Sequence, residues 1–257
     1  MESSYSERSI QQGDKQRIIE EPSIKLKKAQ KRLKALLGRI IIPNFVHNLG
    51  YRRSYVTNAR SHVNGCIVKS LDIKKFFPST PSRKVYYFFY SFLQCPTDIA
   101  AILTKLVTYK GHLPTGSPSS SVIAYYAYLD MWNNIEAISK SSGCTLTIYA
   151  DDITVSGSTI PKGLIWEIKK QIHKHGLDYH KSKFYEGKKP KSITGVITLQ
   201  GQLKAQHCQH LKRYNLKKEL KENQDKKYKE KLIQKLGGIN AQIEYIRKLS
   251  PTSQCEQ

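Results

Sequence analysis

Ile148-Tyr149-Ala150-Asp151-Asp152-Ile153-Thr154-Val155 places two adjacent aspartates between two apolar, β-branched runs. Residues 145–150 and 153–156 are both strand-like and only the two acids separate them, which predicts a β-hairpin with carboxylates at its tip. Neighbouring like charges in a partly desolvated turn repel one another, and turns offer Asn and Gly as cheaper residues. A divalent cation removes the conflict. Magnesium takes carboxylates together with waters and substrate phosphates, and phosphoryl-transfer sites often hold two such ions about 3.5 to 4 Å apart. An exposed turn with both acids solvated would give the same pair, so the surroundings decide.

Toward the N-terminus, Asp72 ends a second strand-like run, 67–73, and is followed by Ile73-Lys74-Lys75-Phe76-Phe77-Pro78. A third acid at a strand end completes a candidate metal site, whereas capping the next turn is the plainer role for a single Asp. Between the acids, the periodicity predicts helices over 83–93, 97–107 and 119–140, with a Gly- and Pro-rich loop at 111–118. Before them, 13–22 reads as a turn and short strand, 24–37 as a basic helix, and 49–65 as an irregular segment or helix pair. Beyond the hairpin come an amphipathic helix over 162–175 and a β-hairpin over 192–203 turned at Gln200 and Gly201. From 205 to 249 the pattern is helical and lysine-rich, broken by Gly237 and Gly238, and predicts a separate basic subdomain.

The 257 residues carry 43 Lys and Arg against 20 Asp and Glu, a formal charge of +23 that exceeds what solubility requires and points to a polyanionic partner. The five cysteines (Cys66, Cys95, Cys144, Cys208, Cys255) are scattered without a Cys-x-x-Cys pair, so neither a zinc site nor a disulfide framework is indicated. No apolar run approaches the ~18 residues of a membrane span, and a cytoplasmic protein without membrane partner is expected.

Leu71-Asp72-Ile73-Lys74-Lys75-Phe76-Phe77 resembles the first catalytic motif of reverse transcriptases, and Tyr149-Ala150-Asp151-Asp152 resembles their Y-x-D-D box. Leu113-Pro114-Thr115-Gly116-Ser117-Pro118-Ser119-Ser120-Ser121 is similar to the L-P-x-G-x-P-x-S-P loop near the incoming nucleotide, with Ser121 in place of the last proline. The segment 176–183 matches G-L-x-x-x-x-x-K, and 13–22 resembles the motif G-x-x-R-x-I-x-x-P of the fingers. The resemblance implies an α+β right-hand polymerase: reduced fingers and an N-terminal region in 1–66, a ferredoxin-like palm in 67–203 and a basic helical thumb in 204–257. Asp72, Asp151 and Asp152 would be catalytic and would hold two Mg2+ ions, with Mn2+ a possible substitute. Arg17, Ile73, Phe77, Gly116 and Lys183 would meet the deoxynucleoside triphosphate. Among these, Phe77 is the implied gate against a 2′-hydroxyl and Lys183 the implied proton donor to pyrophosphate.

Asn58-Ala59-Arg60-Ser61-His62 and Ile193-Thr194-Gly195-Val196 resemble the N-A-x-x-H and V-T-G motifs of bacterial retron enzymes. That likeness implies a cognate structured non-coding RNA, priming from an RNA 2′-hydroxyl, a branched RNA-linked DNA product (msDNA), and a separate effector protein in phage defence. Asn58, His62, Thr194 and Gly195, with Lys212, Arg213 and Lys217 of the basic segment, are the expected RNA contacts. Retron enzymes carry several helices before the fingers motif, but a dozen residues precede Gly13, and Gln11 and Gln12 stand where a basic residue is expected. A group II intron-like or template-independent polymerase, and an RNA-binding scaffold holding an effector inactive, are the competing readings.

Overall fold

In the computed structural model, residues 4–12 and 15–251 are described. The turn expected at Gly13 lies outside them, as does Cys255. Strand β3 (Ile67–Ile73) sits between β5 (Asp152–Gly157) and β6 (Tyr179–Glu186), and β4 (Thr145–Tyr149) flanks β5, so the sheet order is β4-β5-β3-β6, antiparallel throughout. With helices between β3 and β4 and between β5 and β6, this is a ferredoxin-like β-α-β-β-α-β palm. Leu71, Ile73, Ile148 and Ile153 of the sheet pack with Trp132, Ile135, Ile168 and Ile172 of the helices in one core. The polar, lysine-rich β6 carries no alternating apolar signal, which is why only its motif is legible.

The helices expected over 24–37 and 97–107 are α1 (Ile24–Leu37) and α4 (Thr97–Val107). Two predicted helices are interrupted. The first is α3 (Ser82–Tyr87) continued by a π-helical turn, Phe88–Phe92, and the second splits at Tyr128 into α5 (Ser120–Ala127) and α6 (Leu129–Ser141). The helix expected over 162–175 is α7 (Leu164–Lys174), and the 49–65 segment holds one short helix, α2 (Tyr55–Arg60). The polar start forms a strand: β1 (Tyr5–Gln12) pairs with β2 (Lys15–Pro22), and Tyr5 stacks on Tyr109 with ring centroids 4.6 Å apart.

The hairpin expected over 192–203 is a three-stranded meander, β7 (Lys191–Ile193), β8 (Val196–Leu199) and β9 (Gln202–Ala205). Its second turn is the expected Gln200-Gly201, and its first is Thr194-Gly195, both with positive φ at the two central residues.

The C-terminal segment departs from expectation in two ways. Helix α9 (Lys226–Leu249) runs unbroken through Gly237 and Gly238, and the break falls before it, where Asp225 caps its first turn and ends the linker from α8 (His207–Glu222). Each interior glycine costs about 1 kcal/mol relative to Ala, which burial of Leu232 and Ile246 offsets. Nor is the segment separate. Ile246 is buried with Val56, Ala59, Val68, Ile193, Val196 and Leu203, and Leu203 N–H donates to Ser250 Oγ at 2.9 Å, so the thumb shares a core with α2 and the meander.

Candidate active site

The three aspartates converge because two strands bring them to one end of the sheet. Asp72 stands opposite Asp152 in the β3–β5 register, and the Ile73 N–H donates to the Asp151 carbonyl at 2.9 Å, which fixes the β4–β5 turn against the end of β3. Ala150 has φ +56°, a conformation that costs a non-glycine residue roughly 1–2 kcal/mol and that persists here under the hold of the paired strands.

The Asp151 carboxyl is pushed above the usual carboxylate range, first by burial and then by the neighbouring Asp72 charge; its own N–H and Arg17 act in the opposite direction. Charge crowding of this kind favours a bound cation. The donors are oxygens only, which suits a hard ion such as Mg2+ or Mn2+. Among the described residues no three His, Cys, Asp or Glu side chains are already gathered round one point, so the fit is that of an open site completed by water and substrate phosphates. The β3–β6 register shifts between Asp72 and Ile73, which leaves His180 as the extra residue of a bulge, and its Nδ1 lies 3.2 Å from Asp72 Oδ2. His180 falls within the 176–183 motif, but only the bulge reveals its role.

Beside the acids a cleft of about 340 Å3 is lined by Asp72, Asp152, Tyr149, Lys183, Thr194 and Gly195, among others. Lys183 and the Thr194-Gly195 turn thus line the same cleft as the acids. Phe77 is half-buried beside Phe76, with centroids 5.8 Å apart. Ile73 differs from expectation: it is 1% exposed in the core, so its side chain meets no nucleotide and its N–H already holds Asp151.

Arg17 is exposed on β2, and the hairpin that carries it is tied to the palm through Glu20. The Glu20 carboxylate lies 2.9 Å from His112 Nε2 and accepts from Thr115 N–H at 3.3 Å, while Gly116 N–H donates to the Glu20 carbonyl at 3.2 Å. A Cβ on Gly116 would stand 2.5 Å from that carbonyl oxygen, so the residue is glycine because two backbones meet there. Its role is this close approach.

The expected RNA contacts divide. Asn58 and His62 are fully buried, so neither reaches RNA directly. Asn58 Nδ2 donates to Thr194 Oγ1 at 3.2 Å, and Thr194 Oγ1 donates to the Tyr55 carbonyl at 2.9 Å. This link holds Thr194 at φ +43°, unusual for a β-branched residue. His62, in the turn after α2, lies 2.7 Å from Ser156 Oγ and 2.6 Å from Thr147 Oγ1. Burial lowers its pKa to about 3, and lowers that of His47, which hydrogen-bonds Thr57, to about 4. The motif is therefore an internal brace, a role hidden from sequence because polar residues are usually exposed. Thr194 is half-buried and Gly195 exposed; Lys212 and Lys217 are exposed and Arg213 half-buried on α8, a helix without a buried residue.

A family model described as reverse transcriptase (RNA-dependent DNA polymerase) matches residues 10–198. The Retron Se72 reverse transcriptase of Salmonella heidelberg is 32% identical over 179 residues, covering 68% of this chain and 46% of that protein. The Retron Ec86 reverse transcriptase of Escherichia coli is 33% identical over 147 residues, covering 57% and 46%. The chain spans about half the length of these curated relatives. Telomerase from Candida albicans, solved with a fragment of telomeric RNA, superposes with a TM-score of 0.54 at 9% identity, over 82% of this chain and 50% of that one. Apo telomerase from Candida tropicalis gives 0.53 at 11%, over 78% and 53%. At these identities the structural likeness is one of fold.

Proposed function

From the premise that the chain belongs to the reverse transcriptase (RNA-dependent DNA polymerase) family, we propose that it extends DNA on an RNA template at Asp72, Asp151 and Asp152. The observation that carries this reading is the hydrogen bond from Ile73 N–H to the Asp151 carbonyl, which draws acids distant in sequence to one end of the palm sheet. These carboxylates would hold Mg2+, or Mn2+ in its place, which would supply Lewis acidity toward an attacking hydroxyl and offset phosphate charge. Arg17 binds the triphosphate of the deoxynucleotide from the fingers hairpin. Phe77 excludes a nucleotide 2′-hydroxyl, and Lys183 delivers a proton to the departing pyrophosphate. The Thr194-Gly195 turn contacts RNA at the cleft, held in place by Asn58.

The retron-named relatives support the finer reading: a cognate structured non-coding RNA as template, priming from its 2′-hydroxyl, msDNA as product, and a role in phage defence with a separate effector. A cytoplasmic location accords with this chemistry; no helix among the described residues is long and apolar enough to cross a membrane. Lys212, Arg213 and Lys217 grip RNA through its phosphates.

The test is primer extension on an RNA template by the purified chain and by a variant carrying Asp151→Asn and Asp152→Asn. Extension by the first and none by the second, with RNA binding retained, is expected; equal extension overturns the assignment. Recovery of branched RNA-linked DNA from cells expressing the chain with its candidate RNA separates a retron enzyme from a group II-like one. DNA made without any template would identify a template-independent polymerase.

A further inference from the structure

A second groove, of about 650 Å3, opens between α3 with its π-helical turn and the α5–α6 junction, and shares no lining residue with the catalytic cleft. Its size is that of a small-molecule or nucleotide site. The π turn, closed by an i→i+5 bond from Leu93 N–H to the Phe88 carbonyl at 3.1 Å, supplies two of the rings. Phe88 lies parallel to Tyr126, 5.3 Å away at 6°, and Phe92 stacks on the same tyrosine at 5.7 Å. Such turns often mark functional sites. At the rim, Tyr87 is 46% exposed, with the Arg83 guanidinium 5.7 Å from its ring centre. Lys84 Nζ stands 5.4 Å from the ring centre of Tyr128.

Two observations select the ligand. The groove combines the exposed rings of Tyr87 and Phe92, backed by buried Phe88 and Tyr126, with two basic side chains, and among its described lining Asp130 is the only acid. Tyr126 lines it at 5% exposure, and its buried hydroxyl has no hydrogen-bond partner among the described residues. An unpaired buried hydroxyl is unfavourable until a ligand group satisfies it. A flat ring with hydrogen-bonding edges joined to a phosphate meets all of these demands. Aliphatic or acidic peptide side chains meet only some.

We propose that this groove binds an unpaired nucleotide of a single-stranded nucleic acid, its base among the aromatic rings and its phosphate at Arg83 and Lys84. The site is separate from the polymerase reading and stands whether or not that reading does. Stacking carries no strong base preference, so the groove accepts a looped-out base of any sequence. It would anchor a strand at a distance from the acids.

The test is photocrosslinking of the full chain to a single-stranded RNA bearing photoreactive thiouridine, with the labelled peptides mapped by mass spectrometry. Labelling is expected in 82–92 or 126–130, in addition to the catalytic cleft. Arg83→Glu and, separately, Tyr87→Ala should each lower groove labelling about tenfold while cleft labelling, the internal control for folding, is unchanged. Tyr126→Phe, which removes only the hydroxyl, should lower it less. Cleft labelling with a silent groove, or groove labelling unaffected by both rim substitutions, overturns the proposal. So does complete competition by free uridine monophosphate with no competition by unlabelled strand, which would make the ligand a free nucleotide. Self-association of the chain that the rim substitutions abolish without altering RNA labelling would assign the face to a protein partner and likewise overturn it.

Discussion

His62 Nε2 lies 2.6 Å from the hydroxyl of Thr147, a residue of the strand that leads directly into the Asp151-Asp152 turn. Through Ser156 the same imidazole also reaches the strand that leaves it, and Asn58, one helical turn earlier, hydrogen-bonds Thr194, which lines the cleft. One short segment thus ties the hairpin that carries two of the acids to the Thr194-Gly195 turn.

His62→Ala leaves two buried hydroxyls short of a partner and opens a cavity, and should destabilise the fold by about 2–4 kcal/mol. His62→Gln, which can keep one of the bonds, should lose less. Chemical denaturation measures both. RNA affinity of the folded protein at fixed salt should be unchanged; weaker RNA binding at unaltered stability would place His62 at the RNA after all.

Stability should fall in mild acid. The pKa values of His62 and His47 lie at about 3 and about 4, lowered by burial, whereas in the unfolded chain both take up protons near the ordinary histidine value of about 6.5. Their contribution is therefore complete above that value and is lost as pH drops toward the folded values, with a slope of up to about 1.4 kcal/mol per pH unit for each histidine. Unfolding free energies between neutral pH and the onset of acid denaturation would reveal the slope. His62→Gln should roughly halve it.

Asp151→Asn should abolish nucleotide addition and yet raise the melting temperature in chelator. Removing one of two crowded charges from a half-buried site relieves repulsion, and a gain of about 1 kcal/mol is expected. Adding Mg2+ should stabilise the parent protein more than the variant. Equal melting temperatures in chelator and an equal response to Mg2+ would separate Asp151 from the charge cluster.

Phe77→Ala should admit ribonucleotides, lowering the preference for deoxynucleotides by about tenfold or more, as is usual when a pocket loses its steric exclusion. Incorporation ratios from parallel extension reactions give the answer. An unchanged ratio, with stability reduced, would return Phe77 to the core beside Phe76.

Lys212→Ala with Lys217→Ala should weaken binding of cognate and scrambled RNA alike, and should lower the slope of log affinity against log salt by roughly 0.7 for each phosphate that is no longer neutralised. Titrations at several salt concentrations test this. Weakening confined to cognate RNA would mean that α8 reads shape.

The palm is legible in the sequence because its strands carry apolar, β-branched residues and because adjacent acids between such runs are difficult to explain without a cation. Helices α1 and α4 follow from spacing alone. What stays hidden depends on pairing across the chain. β1 and β6 are polar and become strands only through their partners, and His180 acquires its place by a bulge that no local pattern announces. Asn58 and His62 are visible as a motif, but their burial is a property of the packed molecule. Gly237 and Gly238 suggest a break that the anchored α9 does not make, since Leu232 and Ile246 hold it on both sides.

The contact between Gly116 and the Glu20 carbonyl leaves no room for a side chain, and with the carboxylate bonds to His112 and Thr115 it stitches the β1–β2 hairpin to the 111–118 loop. Hairpin and loop therefore travel as one jaw. If Arg17 takes a triphosphate as proposed, a displacement of the hairpin on binding would carry the loop with it.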